Sequence, residues 1–97
     1  MFSKVPIDVN KIKRENQNLD QELLRVAIMA ELDAINLYEQ MADMVDSEDL
    51  KKVLMDVAQE EKTHVGEFQT MLLRMDKEQV KELAKGKNEV EELTGKK

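Results

Sequence analysis

The chain has 97 residues, with 15 Lys+Arg against 21 Asp+Glu for a net charge of −6, one His, no Cys and three aromatic side chains. That length makes one small domain rather than two, and the acidic balance lacks the Lys/Arg stripe that nucleic acid requires. Without cysteine there is neither a disulfide framework nor a thiolate metal site.

At the N-terminus, Met1 to Pro6 contains no apolar signal core, and no run approaches the roughly 18 apolar residues of a membrane span. A soluble, cytoplasmic chain with no membrane partner is expected. Residues 1–17 scatter Phe2, Val5, Ile7, Val9 and Ile12 among Lys and Asn, and Pro6 disfavours an early helix, which predicts an irregular arm. Asn18 then reads as an N-cap, with Gln21 three residues on as a weak capping box. Leu24, Ala27, Ile28, Ala34, Ile35, Tyr38, Met41, Ala42 and Val45 follow in steps of three and four, which predicts a helix over about 19–45.

Asp46-Ser47-Glu48-Asp49 supplies a cap and first-turn acids for a second helix. Its stripe is Leu50, Val53, Leu54, Val57, Val65, Phe68, Met71, Leu72 and Met75, so it spans about 48–75. Asp76 with Gln79 opens a short third helix, expected to end near Lys85 with Gly86 as its stop. The charged tail, 87–97, contains Asn88 and Glu91, which suit one further turn. The organisation is thus an arm (1–17), a helical domain (18–86) and a tail (87–97). Charged residues at 37% and only four Gly+Pro favour this all-α reading over sheets, while the seven Met suit adaptable helical packing and point to nothing specific by themselves.

So short a connection makes the long helices an antiparallel hairpin. Two helices cannot enclose a core, and each stripe is covered on one side only. The simplest missing half is a second copy of the chain, so a homodimeric four-helix bundle is expected on packing grounds alone.

Three ionisable residues interrupt the stripes. Glu31 lies between Ile28 and Ala34; Glu61 and His64 lie between Val57 and Phe68. A carboxylate on a buried face is costly unless paired or bound to a metal. Glu61 and His64 form Glu-x-x-His, which puts carboxylate and imidazole on one face of one turn, a ligand set for Fe, Mn or Zn. Alone this motif is weak, since with 13 Glu in 97 residues the single His has about a one-in-seven chance of carrying it. The common fate of one such residue is a hydrogen-bonded core His or a solvated Glu at the stripe edge. Position adds more. At 1.5 Å per residue, Glu31, Glu61 and His64 lie roughly 23, 22 and 26 Å from the turn, so they meet at one layer.

Two chains would together supply four carboxylates and two imidazoles, the donor set of a ferritin-like di-iron site, and four carboxylates neutralise two divalent cations. Tyr38, two turns beyond Glu31 on the same face, suits either core packing or a place beside the site. Glu60, Glu67, Asp33 and Glu39 read as surface charges, with Glu60 or Glu67 as second candidates for supporting the ligands.

The segments Ala30-Glu31-Leu32-Asp33-Ala34-Ile35-Asn36-Leu37-Tyr38-Glu39-Gln40 and Glu60-Glu61-Lys62-Thr63-His64 resemble encapsulated ferritin, the small two-helix ferritin-like protein carried by, or fused to, encapsulin nanocompartment shells. The resemblance covers about residues 19–85 without gaps. It implies a ferroxidase centre formed only at a dimer interface, dimers joined into a ring, an encapsulin shell protein as partner, and a place inside that shell. It makes Glu31, Glu61 and His64 the iron ligands and sets Tyr38 beside the centre. Two departures stand out. Family members often carry acids at the positions of Ala30 and Asp33, forming a site where iron enters, and an aromatic at Leu37; here only Asp33 is acidic. Glu92-Leu93-Thr94-Gly95-Lys96-Lys97 does not resemble a shell-targeting peptide, which leaves a domain of a shell fusion or a cargo without its signal.

The leading expectation is therefore oxidation of Fe(II) by O2 at a di-iron centre, feeding iron storage in a shell. Its rivals are a helical assembly module with a structural Zn or Mn site, an interaction hairpin with no metal, and a rubrerythrin-like peroxide reductase. The last usually draws electrons from a donor whose iron is held by four cysteines, and this chain has none.

Overall fold

The computed structural model describes residues 4–6 and 18–97, and these contain three α-helices and no strand: α1 (Leu19–Met44), α2 (Glu48–Met75) and α3 (Lys77–Thr94). Apart from residues 4–6, the expected N-terminal arm lies outside the described residues. Each boundary has a local cause. Asn18 opens α1, its carbonyl accepting the N–H of Glu22 at 3.1 Å. Val45 leaves helical geometry for extended backbone and ends it. Ser47 starts α2, its hydroxyl accepting the N–H of Leu50 at 3.1 Å, with Glu48 and Asp49 in the first turn where the helix dipole favours acids. Asp76 ends α2 by donating its N–H to Leu72 O and begins α3 by accepting the N–H of Gln79 on its carboxylate.

Three residues join α1 to α2, so the two run antiparallel as the sequence predicts. They share a thin core of Val26, Ala34, Ile35 and Ala42 from α1 and Leu54, Ala58 and Leu72 from α2. Three of the seven are alanines, which let the helix axes approach closely. The radius of gyration, 17.2 Å, exceeds the about 13 Å of a compact chain near 100 residues. Met29, Leu32, Met41, Val53, Met55, Met71 and Met75 stay exposed on the hairpin. Each apolar stripe is thus half-covered, as a two-helix arrangement requires.

The third helix departs from the sequence expectation. Gly86 does not stop it; α3 continues through 87–94, and Gly95, at φ +68°, is the left-handed residue that ends it. A glycine inside a helix costs about 1 kcal/mol relative to Ala, too little to break a segment rich in Lys and Glu. Beyond Gly86, Lys87 reaches Glu91 at 4.0 Å and the Thr94 hydroxyl donates to Val90 O at 2.8 Å. No residue of α3 is buried.

Candidate metal centre

Midway along the hairpin, α1 and α2 each present a second stripe beside the one they bury against each other. On α1 it is Ala27, Glu31, Tyr38 and Met41, with Ala34 shared with the buried stripe and Val45 just past the helix end; on α2 it is Val53, Val57, Glu61, His64, Phe68, Met71 and Met75, all in steps of three and four. The ionisable groups therefore sit in the middle of an otherwise apolar face.

Glu31 from α1 meets Glu61 and His64 from α2 there. Nδ1 of His64 lies 3.3 Å from Oε2 of Glu31 and 3.5 Å from Oε2 of Glu61, and one ligating atom from each residue falls within 4.8 Å of the others. The side chains of Glu31 and Glu61 are only 20% and 17% exposed, whereas His64 is 41% exposed. Two carboxylates are thus held together, largely out of water, beside an imidazole that still opens to the surface. Such a pair of like charges is most stable when a cation lies between them. The donor set, two carboxylate oxygens and one imidazole nitrogen, fits iron, manganese or zinc, and the imidazole side of the cluster is open to solvent. Among the described residues this is the only such group of three or more.

The remaining sequence candidates lie elsewhere. Tyr38 is half-buried, two turns or about 10.5 Å of helix rise beyond Glu31. Asp33, Glu60 and Glu67 are exposed. Glu39 faces the other side of the hairpin and pairs with Nζ of Lys62 at 3.4 Å. That side carries an open cleft of about 640 Å³, floored by Ala58 and rimmed by Glu39, Lys52, Met55, Asp56 and Lys62, with none of the three clustered residues in it.

Sequence reading missed the fixture at the far end of the hairpin. There Arg25 Nη2 donates to Asp76 Oδ2 at 2.8 Å, and Gln21 Nε2 donates to Met75 O at 3.3 Å. Asp76 is legible as a cap; its bond to a residue 51 positions away is not. The Gln79 N–H first, and the Arg25 guanidinium next, hold the Asp76 carboxyl below its ordinary value.

Comparison with known proteins agrees with this architecture. A sequence model of the Rubrerythrin family matches residues 22–95. A ferritin-like-encapsulin shell fusion protein of Pyrococcus furiosus is 55% identical over 95 residues, covering 98% of this chain and 28% of that protein. The encapsulin nanocompartment cargo protein EncC of Myxococcus xanthus is 46% identical over 56 residues, covering 58% of this chain and 43% of that protein. The chain therefore spans less than half the length of either of these two relatives. The crystal structure of the encapsulated ferritin domain from Pyrococcus furiosus superposes with a TM-score of 0.76 at 50% identity, covering 98% of this chain and 89% of that one.

Proposed function

This chain belongs to the Rubrerythrin family and, within it, to the encapsulated ferritins, and from that premise we propose that it is a ferroxidase whose di-iron centre is completed by a second copy of itself. The coarser statement, an iron-related ferritin-like helical domain, follows from the family. The observation that carries the finer one is the convergence of Glu31, Glu61 and His64 in the middle of a face that is otherwise apolar and half-covered.

One chain offers a carboxylate pair and one imidazole. A two-fold axis through that face doubles the set to four carboxylates and two imidazoles, buries Met41, Val53, Met71 and Met75 against their copies, and removes the water that now reaches His64. Glu31 and Glu61 from both copies would supply the negative charge to hold two divalent ions and to favour their higher charge state. His64 is turned by the helix so that Nδ1 faces both carboxylates. Tyr38, two turns further along α1 on the same face, would line the approach to the centre rather than ligate it. Iron, the substrate, supplies the redox chemistry: each of two Fe(II) loses one electron, and O2 takes the pair with two protons as hydrogen peroxide. A hairpin encloses no chamber for mineral, so storage requires a surrounding compartment. The shell fusion and cargo relatives support an encapsulin shell as that partner, with this domain held inside it; the ring of dimers belongs to the same proposal and rests on the packing argument alone.

Aerobic addition of Fe(II) tests the reading. Ferric absorbance is expected to rise well ahead of spontaneous oxidation, and Glu61→Ala to slow it by about tenfold or more, since groups that merely orient a metal ligand are already worth about 10–100-fold. Growth no faster than in buffer, with zinc or manganese retained, would identify a structural metal site instead.

A further inference from the structure

All six methionines among the described residues are at the surface: Met29, Met41, Met44, Met55, Met71 and Met75. The core is built from Val, Ala, Ile and Leu alone. Thioethers are oxidised far more readily than any of these aliphatic side chains; in the single chain every described one is exposed, and pairing would cover Met41, Met71 and Met75 from bulk solvent. Their placement relative to the metal-centre candidates is uneven. Met29, Met44 and Met55 lie off the Glu31–Glu61–His64 face or at the hairpin tip, whereas Met41, Met71 and Met75 share its stripes.

Met71 stands out among these. It follows His64 by seven residues, two turns or about 10.5 Å of rise on the same face. Its sulfur also has a cationic donor, with Nη1 of Arg74 3.9 Å from Sδ. A guanidinium gains little from a thioether, which is a weak acceptor, and much more from the polar oxygen of a sulfoxide. We propose that Met71 is an oxidative modification site, at which hydrogen peroxide made by the chain's own iron oxidation converts the thioether to a sulfoxide whose oxygen Arg74 then holds.

The inference rests on the ferroxidase reading, because that reaction supplies the oxidant. A sulfur lone pair attacks one peroxide oxygen; the S–O bond forms as the O–O bond breaks, and the other oxygen leaves as water after proton transfer. Sulfur is oxidised by two electrons and peroxide is reduced by two. The product is a polar group on the face that pairs with the second copy, so accumulated peroxide weakens the assembly that makes it.

The test uses the whole chain, given Fe(II) in air with catalase in the bulk to remove escaped peroxide, followed by peptide mass mapping of each methionine. Met44 is the internal reference, being 80% exposed against 41% for Met71 in the single chain, a gap that pairing would widen. The expected result is a sulfoxide fraction at Met71 several-fold above that at Met44. Glu61→Ala should abolish the excess, and hydrogen peroxide added to metal-free protein should reverse the order. If ferric absorbance grows while oxidation simply follows exposure, the proposal is overturned and the ferroxidase reading stands. If no ferric absorbance grows beyond the buffer control, both are overturned together.

Discussion

The hairpin and the α2–α3 joint are held by different forces, and the difference explains where a site could form. Along α1 and α2 the contact is apolar and thin, with Ala34, Ala42 and Ala58 interleaved with Val26, Ile35, Leu54 and Leu72. Such packing has no preferred direction, and it can carry Glu31, Glu61 and His64 only because the outer face is unfinished. At the joint, by contrast, Arg25 and Gln21 from the start of α1 grip Asp76 and Met75 by directed polar bonds, and α3 beyond it buries nothing. Apolar packing sets how far apart the helices lie; the polar joint sets where α2 stops and how α3 departs. The metal-centre candidates occupy the half-covered middle, where ionisable groups are partly desolvated with no Lys or Arg among the described residues paired to them, unlike Asp76, whose carboxylate Arg25 already holds.

Removing apolar contact from the hairpin should have the largest effect on stability. Leu72 is buried on α2, three residues before Met75, whose carbonyl Gln21 of α1 reaches. Leu72→Ala is expected to cost about 2–3 kcal/mol, the lower part of the range for buried leucines, because a cavity near the rim of a thin core can partly collapse. The check is a denaturant melt followed by circular dichroism at fixed protein concentration, since pairing would make the midpoint concentration-dependent. A loss under about 0.5 kcal/mol, the level of an ordinary surface change, would mean that α1–α2 packing does not dominate the hairpin.

Perturbing the joint should act locally. Because its folded-state value is depressed, the Asp76 carboxylate contributes fully above the ordinary carboxylate value, and that contribution is lost as pH falls through the lowered folded value. From neutral to mildly acidic pH nothing is expected to change. Below the ordinary carboxylate range, the amide resonances of Gln79 and Val80 should shift while those around Ala58 hold. Asp76→Asn should remove that titration, and at neutral pH the first turn of α3 should exchange its amide hydrogens several-fold faster than in the parent. An equal rise in exchange throughout α1 and α2 would show instead that the joint clamps the whole chain.

The two regions were also unequally legible in the sequence. The hairpin could be read almost to the residue, because the period of its stripes and the Ser47 cap are local signals. The meeting of Glu31 with Glu61 and His64 then followed from counting rise along two antiparallel helices. The Arg25–Asp76 bond could not be read, since it joins residues 51 apart whose pairing depends on how the helices rotate against each other. Nor could the face that a second copy would cover be separated from the face turned to α1. Both stripes are apolar with helical spacing, and they differ by a single residue of phase, as Val53 and Leu54 illustrate.

The smallest effects concern the glycines of α3, where sequence reading took the wrong one as the stop. Gly86 lies in helical backbone with nothing within 4 Å of where a Cβ would stand, so Gly86→Ala should stabilise the helix by about 0.5–1 kcal/mol through the lost freedom of the unfolded chain. Gly95 has equal space but a positive φ, so Gly95→Ala should cost about 1–2 kcal/mol locally because Cβ crowds the following carbonyl. This second cost is confined to the fraying end of the chain, where little of it reaches the global melt. Exchange rates near Val90 and Leu93 are therefore the sensitive measure for both. Opposite signs at the two positions would separate backbone conformation from space as the cause, since space is the same at each. If Gly86→Ala instead loosened α3, another surface must approach Gly86 closely in the assembled protein, and the helix would be no free arm but part of a further contact.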